Sequence, residues 1–308
     1  MEKDFHFYLI YALAETAGFA ADEAFTVAYA SQFVDDNNEK QYPKKDGHPK
    51  FPSAIKLNGS YFRPIMTQSM SVKSLVYEVQ KYVYVPFHFI PGDSNQPIDG
   101  KINKYATTPN CSKAQKLLKA AIRSEDLYRL GIALHSYADT WSHQNFTGYE
   151  EDWNSVFVWH SPYRAIVPNI AHADAGHDPD EISTVWKDYR LPKSERKIVN
   201  RVRAMDACKH IYQALRRAAK GTRYWSDVKN DFKKIIQVED YDDRIDGIRT
   251  YVNRSDLYYD PETWLKEAIT IEGDKVHACE NFGNTHWYKF QQAAKANLAQ
   301  MVDMLKNY

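Results

Sequence analysis

The sequence predicts an all-α protein, a multi-helix bundle with one long irregular insertion. Outside residues 37–111, apolar residues recur at the spacing of a buried helix face through most of the chain. Inside that stretch lie most of the 13 prolines of the chain, which break any long helix. Residues 37–111 are therefore the predicted insertion, and the helices lie on either side of it.

The first two helices are predicted from their apolar spacing and their ends. Residues 4–17 carry apolar side chains at helical spacing, and Gly18 supplies a stop. A second helix begins with "ADEAF", which places carboxylates in its first turn, where they suit the helix dipole. It ends at Asp35 and Asp36.

The insertion is predicted to be irregular, with a short hairpin. Its segment "KYVYVPFHF" alternates in polarity and favours a strand. A loop this long in a compact chain usually serves a site or carries structure of its own. We therefore expect residues 37–111 to contribute to function.

Helices are predicted again after the insertion. Ser124 is the candidate N-cap of the second of them, and a further irregular stretch follows near residues 161–181. The predicted helical ranges are 112–123, 125–147, 194–220, 227–252, 261–271 and 285–306. One mostly helical domain, 1–308, with a metal-site core over 4–190, is the simplest organisation. The alternative is that residues 191–308 form a C-terminal helical subdomain.

Composition excludes several classes of protein. The 40 basic and 40 acidic residues give a formal net charge of zero, so no general affinity for nucleic acid is expected. No apolar run is long enough for a transmembrane segment, and the first residues do not resemble a secretory signal, so a cytoplasmic location is the expectation. The sequence has no P-loop, GxSxG or GxGxxG motif.

The most informative motif is "LHSYADTWSHQ", which spaces His135, Asp139 and His143 four residues apart on a predicted helix. Positions i, i+4 and i+8 share one helix face, so three ligand-capable side chains point the same way. Imidazole and carboxylate are usual zinc ligands. The motif predicts a metal site, and the alternative is a pair of core histidines around a bridging aspartate.

Other candidate ligands lie in four segments. "DFHF" holds Asp4 and His6, and "FVDD" places Asp35 and Asp36 at a helix C-terminus, where the dipole disfavours carboxylates unless a cation is near. "PFHFIPGD" presents His88 between two prolines. The segment "AHADAGHDPDE" is the densest, and its candidates are His172, Asp174, His177, Asp178 and Asp180.

Together these segments resemble a group of uncharacterised bacterial proteins that is distantly similar to the zinc-dependent phospholipase C and single-strand nuclease superfamily. The motifs that carry the resemblance, over residues 4–190, are "DFHFYLIYALAETAGF", "AYASQFVDD", "PFHFIPG", "ALHSYADTWSHQ" and "HADAGHDPD". It implies a phospholipase C-like helical bundle with a cluster of three zinc ions. In characterised members the N-terminal residue of the mature chain is also a ligand, and here Asp4 is expected in that place.

Carried over residue by residue, the resemblance implies a set of metal ligands in which Asp139 bridges two ions. The matching positions are His6, Asp35 or Asp36, His88, His135, Asp139, His143 and His172, with a carboxylate from the segment after His172. His177 belongs to the same dense segment and is a further candidate.

The expected function is that of a zinc phosphodiesterase with two or three Zn2+ per chain, although other divalent metals fit the same ligands. It would act through metal-activated hydroxide on a phosphodiester small molecule or a lipid headgroup. Asp139 would bridge metals, and Asp174, Asp178 or Asp180 would serve as general base or proton donor. Two alternatives stay open: a non-catalytic helical protein with a structural metal site and a protein partner, and an HD-type helical phosphohydrolase.

Overall fold

The computed structural model shows a mostly helical chain, as predicted. It describes residues 1–38, 44–45, 48–49, 55–57, 60–69, 71–92, 97–98, 100–156, 168–272 and 275–306. Among these residues, no helix has the length and apolar character needed to cross a membrane.

The N-terminal helices lie where the sequence predicts them. The first begins as a π-helical segment, Asp4–Leu9, and continues as α1, Ile10–Ala17. Gly18 ends α1 with φ of 110°, a left-handed conformation that glycine adopts without strain. The second helix, α2, spans Ala21–Asp36.

The insertion contains short strands and short helical pieces. The strands are β1 (Lys44–Lys45), β2 (His48–Pro49), β3 (Ile55–Leu57) and β4 (Ser60–Phe62). The helical pieces are a 3-10 turn (Val72–Leu75), α3 (Tyr77–Val79), a π-helical segment (Gln80–Tyr84) and α4 (Val85–Phe87). The predicted hairpin is confirmed, because β3 and β4 pair antiparallel.

The strand prediction for "KYVYVPFHF" is wrong, because this segment is helical. Val83 and Phe87, four residues apart, are both buried, which is the burial pattern of a helix face. The π-helical segment Gln80–Tyr84 directly precedes α4, and the helical backbone continues through Pro86 to Phe87. The apparent alternation of polar and apolar residues therefore belongs to a helix that has one buried and one exposed face.

Two helices follow the insertion, α5 (Ser112–Ser124) and α6 (Leu127–Ser142). Helix α5 is close to its predicted range, 112–123, and α6 is shorter than its predicted range, 125–147. The predicted N-cap Ser124 is wrong, since it belongs to the end of α5. Asp126 caps α6 instead, and its carboxylate accepts hydrogen bonds from the backbone N–H groups of Tyr128 and Arg129. Helix α6 ends at Ser142, five residues before the predicted 147.

The rest of the chain adds further helices and two small hairpins. The 3-10 turns are Asp152–Asn154, Ala173–Ala175 and Phe282–Asn284. The helices are α7 (Asn200–Ala218), α8 (Trp225–Gln237), α9 (Tyr241–Tyr251), α10 (Thr263–Ala268) and α11 (His286–Leu305). The strands are β5 (Val185–Lys187), β6 (Lys197–Val199), β7 (Ile269–Glu272) and β8 (Lys275–Ala278). The helix predicted over 261–271 thus ends in a strand.

Helix α6 lies at the centre of the packing and contacts α2, α5, α7 and α11. The C-terminal helices therefore share a hydrophobic cluster with the N-terminal ones, which extends from Met1 to Met301. The insertion joins the same body through a four-stranded sheet with the order β4-β3-β8-β7, in which Lys56 of β3 pairs in parallel with His277 of β8.

Close contact between α2 and α6 requires a glycine at position 131. A Cβ added there would lie 2.4 Å from the carbonyl oxygen of Val27 and 2.6 Å from the Cβ of Ala30. Such distances are too short for real contacts, so a side chain at this position would push the two helices apart. The spacing of α2 and α6 also fixes the separation of the ligand-capable residues that the two helices carry.

We expect Gly131→Ala to lower the free energy of unfolding by about 1–3 kcal/mol, because it overpacks this contact. Gly247→Ala is the matched control, since Gly247 lies within α9 and a Cβ there meets nothing within 4 Å. It should raise stability by roughly 0.5–1 kcal/mol through helix propensity. Urea denaturation of both variants measures the two effects, and equal shifts would contradict the proposed contact.

Candidate metal centre

Helix α6 places the predicted stripe in the interior of the protein. His135 and Asp139 lie one turn apart and are 0 and 1 % exposed, and His143 follows the last residue of the helix. His135 Nε2 lies 3.2 Å and His143 Nδ1 lies 3.6 Å from Asp139 Oδ2. The i, i+4, i+8 spacing therefore brings all three side chains together around one carboxylate.

The N-terminal segment contacts the other oxygen of that carboxylate. The nitrogen of Met1 lies 2.8 Å and His6 Nε2 lies 3.1 Å from Asp139 Oδ1. His6 comes from the π-helical segment, and its ring stacks on His135 at 3.9 Å between centroids. π-Helical turns are rare in proteins, and those that occur are often found at functional sites.

The insertion contributes His88, which follows α4. His88 Nδ1 lies 3.3 Å from Asp139 Oδ2 and 3.1 Å from His135 Nε2, and the side chain is held from behind by a hydrogen bond from Nε2 to the carbonyl oxygen of Thr67. The insertion, which was expected to contribute to a site, thus places His88 in contact with Asp139 and His135.

Asp35, near the end of α2, faces the same group of residues. Its Oδ1 lies 3.6 Å from His135 Nε2 and 3.7 Å from His88 Nδ1. The close approach of α2 to α6 at Gly131 is what brings this carboxylate within reach.

A second cluster surrounds Asp180. His143 Nε2 lies 3.0 Å from Asp180 Oδ1, and His172 Nε2 lies 3.2 Å from Asp180 Oδ2. The nitrogen of Met1 is 2.9 Å from Asp180 Oδ1 and so lies between the two clusters. Phe89 stacks on the His143 ring at 4.4 Å and fixes its plane.

The structure thus contains buried groupings of histidine and aspartate that could hold a metal ion. In each grouping the ligand atoms lie within 4.8 Å of one another. Among the described residues, the groupings are His6 with Asp35 and His135, His88 with His135 and Asp139, and His143 with His172 and Asp180.

The hydrogen bonds of three histidines favour a cation in these groupings. Since a carbonyl oxygen only accepts, His88 donates from Nε2 to Thr67, His143 from Nδ1 to His88, and His172 from Nδ1 to Gly176. In a neutral ring the other nitrogen is then an unprotonated lone pair, and in each case it points at a carboxylate oxygen. Two acceptors repel unless a proton or a metal lies between them, and this second hydrogen bond to the backbone is the usual arrangement of metal-bound histidine.

The remaining two histidines leave buried atoms without a partner. Nδ1 of His6 and Nδ1 of His135 are buried and make no hydrogen bond to any residue that the structure describes. Burial and the nearby amino group of Met1 lower the pKa of His6 to about 4, and burial together with His6 lowers the pKa of His135 well below its usual value. Both rings are therefore neutral near pH 7, which is the form that binds metals.

The aspartates of the centre and the Met1 amino group shift one another's pKa values. Burial opposes the ionised form of Asp139, but His143 and the Met1 amino group outweigh it and hold its pKa well below the usual range. Burial and the Asp139 charge raise the pKa of Asp35 well above its usual value. Burial likewise disfavours the charged Met1 amino group, yet Asp139, Asp180 and Asp35 raise its pKa to about 11.

The centre is accessible from one side. The side chains of Asp35, His172 and Asp180 are 28, 20 and 16 % exposed, whereas His6 and His135 are fully buried. Solvent therefore reaches the side chains of Asp35, His172 and Asp180, whereas His6 and His135 are enclosed by protein.

Two carboxylates predicted as ligands lie outside the centre. Asp4 points away from it and pairs with the Arg244 guanidinium, at 2.7 Å between Oδ2 and Nε. Asp36 accepts hydrogen bonds from Tyr259 Oη at 2.7 Å and Gln32 Nε2 at 3.0 Å. The partners Arg244 and Tyr259 lie more than 200 residues away along the chain, so these two contacts could not be predicted from the sequence.

The dense segment near residue 175 also divides. His172 and Asp180 lie in the centre, whereas Asp174 accepts hydrogen bonds from the backbone N–H of Val156 and from Ser155 Oγ. His177 is exposed, and among the described residues neither it nor Asp174 belongs to the groupings that could hold a metal. The adjacent pair His177–Asp178 therefore gives no support to an HD-type centre.

Sequence reasoning missed the position of Met1. Its nitrogen, rather than the Asp4 side chain, contacts Asp139 at 2.8 Å, and Ser142 Oγ lies 3.3 Å away. A backbone nitrogen carries no sequence signal, and only the resemblance pointed to a terminal residue at this place.

Comparison with known proteins identifies one relationship. No curated protein and no solved structure shows significant similarity to the chain. A family model described as a family of unknown function, DUF6765, matches residues 1–305. The chain therefore belongs to the DUF6765 family.

Proposed function

We propose that the protein is a zinc-dependent phosphoric ester hydrolase that holds two or three zinc ions around Asp139 and Asp180. The observation that carries this proposal is the meeting of five histidines and three aspartates from distant parts of the chain. The contributing residues are His6, Asp35, His88, His135, Asp139, His143, His172 and Asp180.

The distances fit zinc. Ligand atoms bound at 2.0–2.2 Å in a tetrahedron lie about 3.4 Å apart. The separations between ring nitrogens and carboxylate oxygens here run from 3.0 Å, His143 to Asp180, to 3.7 Å, His88 to Asp35. A nitrogen and oxygen donor set without thiolate also suits zinc, although manganese and iron accept the same ligands.

The resemblance to the phospholipase C and nuclease superfamily supports the same proposal. The matching positions come from the first helix, the end of the second helix, the insertion, the His-x3-Asp helix and the segment after it, and their side chains converge. That superfamily uses a terminal residue as a ligand, and in this chain the nitrogen of Met1 lies 2.8 Å from Asp139 and 2.9 Å from Asp180.

The positions of the three aspartates suggest a separate role for the bound zinc ions and for each carboxylate. Bound zinc ions would supply Lewis acidity for a phosphoryl oxygen and lower the pKa of an attacking water. Asp139 would hold the ions close together, because its two oxygens face different groups of ligands. Asp35 and Asp180 are the carboxylates a substrate can reach, so whichever is not a ligand would accept the proton of the water. The proposed substrate is a phosphodiester small molecule or a lipid headgroup.

The alternative of a structural metal site with a protein partner has one observation in its favour, the nearly complete burial of His6, His135 and Asp139. Structural sites fill every coordination position with protein ligands, whereas catalytic sites keep one open. The exposure of Asp35, His172 and Asp180 favours the catalytic proposal.

Elemental analysis of the untagged protein should find two or three zinc ions per chain. Asp35→Asn and His172→Gln should each lose at least one ion and lower Tm, because binding to the native state stabilises it by mass action. The matched controls are Asp36→Asn and His177→Gln, which replace neighbouring residues of the same type outside the centre. Equal metal content in all four variants would contradict the assignment, and one ion in every protein would favour a structural site.

A short extension of the N-terminus should lower metal affinity at least tenfold. It converts the amino group of Met1 into an amide that is neither a base nor a metal ligand. A pKa of about 11 means that the free amino group is protonated near neutrality and must lose a proton to bind a metal. Affinity for zinc should therefore rise with pH between 6 and 8 by more in the unextended chain than in the extended one. Calorimetric titrations with zinc measure both, and identical pH dependence would remove Met1 from the ligand set.

The zinc-loaded protein should hydrolyse bis(p-nitrophenyl) phosphate, with kcat lowered at least 100-fold by Asp139→Asn. The control Asp174→Asn removes a carboxylate from the neighbouring segment and should leave kcat/KM within threefold. Full metal content without turnover of this substrate or of p-nitrophenyl phosphorylcholine would overturn the hydrolase proposal and leave the metal site standing.

A further inference from the structure

A groove between α7 and α8 forms a second site, separate from the metal centre. We propose that it binds an amphiphile with one anionic head group and an apolar tail. The groove has a volume of about 620 Å³, within the range of roughly 300–1,000 Å³ of small-molecule sites. The proposal is independent of the proposed hydrolase activity.

The floor of the groove is apolar and fixed in position. Met205 of α7 and Trp225 and Ile236 of α8 form it, and Val202 stands at its edge with 67 % of its surface exposed. The Trp225 ring stacks on Phe232 at 5.9 Å between centroids, which holds it in place. An alkyl chain on this floor would remove apolar surface from water on both partners.

Lysines line both walls above this floor. Lys209 projects from α7, and Lys229 and Lys233 lie one turn apart on α8. All three are exposed, and within the part of the chain that the structure describes none of them forms an ion pair. The groove therefore presents three cations without a fixed counter-charge.

The other charges of the groove have partners. Arg201 pairs with Glu239, and the carboxylate of Asp206 accepts a hydrogen bond from Trp141 Nε1 at 2.8 Å and lies 3.8 Å from His210 Nε2. The groove is thus locally positive in a chain whose formal net charge is zero.

The two features together specify the class of ligand. A small inorganic anion would meet the lysines but leave the floor of Met205, Trp225 and Ile236 in water. A neutral apolar molecule would cover the floor and leave the lysines unused. A carboxylate, sulfate or phosphate ester head with an alkyl tail satisfies both, since each charge-assisted hydrogen bond adds to the burial of the tail.

The test uses dodecanoate below its micellar concentration, with binding measured by isothermal titration calorimetry. Dodecanoate should bind at least tenfold more tightly than dodecanol, which lacks the charge, and than hexanoate, which lacks most of the tail. Lys229→Gln/Lys233→Gln should raise the Kd at least tenfold. The control Lys116→Gln/Lys119→Gln removes two exposed lysines of α5 and should leave the Kd unchanged.

Three outcomes would overturn the proposal. The first is an equal Kd for the two double variants, and the second is equal affinity for hexanoate and dodecanoate. The third is co-sedimentation with phosphatidylglycerol vesicles that depends on Lys229 and Lys233 without binding of free dodecanoate, which would assign the groove to a membrane surface. Dodecanoate binding that quenches the fluorescence of the wild type but not of Trp225→Phe would support the groove as the site.

Discussion

The charge of one buried carboxylate organises the interior of this protein. Asp139 is almost fully enclosed, and an ionised carboxylate in such a place is stable only when donors or cations surround it. Its two oxygens are met by the Met1 nitrogen and by four histidines from three separate segments of the chain. The helices that carry those groups must then pack at fixed distances, and the Gly131 contact between α2 and α6 is one result.

A metal would change the balance of that interior. Without one, burial and the charge of Asp139 raise the pKa of Asp35, and the rings of His143 and His172 both contact Asp180. Two or more divalent cations would neutralise all three aspartates and give the ring nitrogens the partner they lack. The same atoms that are poorly matched as a hydrogen-bonded core are well matched as ligands.

The sequence predicted those parts of the structure that depend on local periodicity. The stripe on α6 was readable because i, i+4 spacing determines a face, and the ends of α1 and α2 followed from Gly18 and the acidic pair. Sequence reasoning failed where a residue distant along the chain determines which side chain lies in the centre. Asp35 and Asp36 are chemically identical neighbours, but Asp35 faces His135, whereas Asp36 binds Tyr259, more than 200 residues later in the chain. His172 and His177 differ likewise by which one a turn directs inward, and the helical "KYVYVPFHF" shows that tertiary packing overrides a short alternating pattern.

The burial of the N-terminal segment has a consequence for the order of folding. All six residues of the π-helical segment are buried. The segment contacts α9 as well as α2, so its burial is complete only when the last third of the chain has folded. His6 consequently reaches Asp139 only when nearly the whole fold is complete. The grouping of His6 with Asp35 and His135 therefore forms late, and a metal ion held there would bind only after these distant helices have packed.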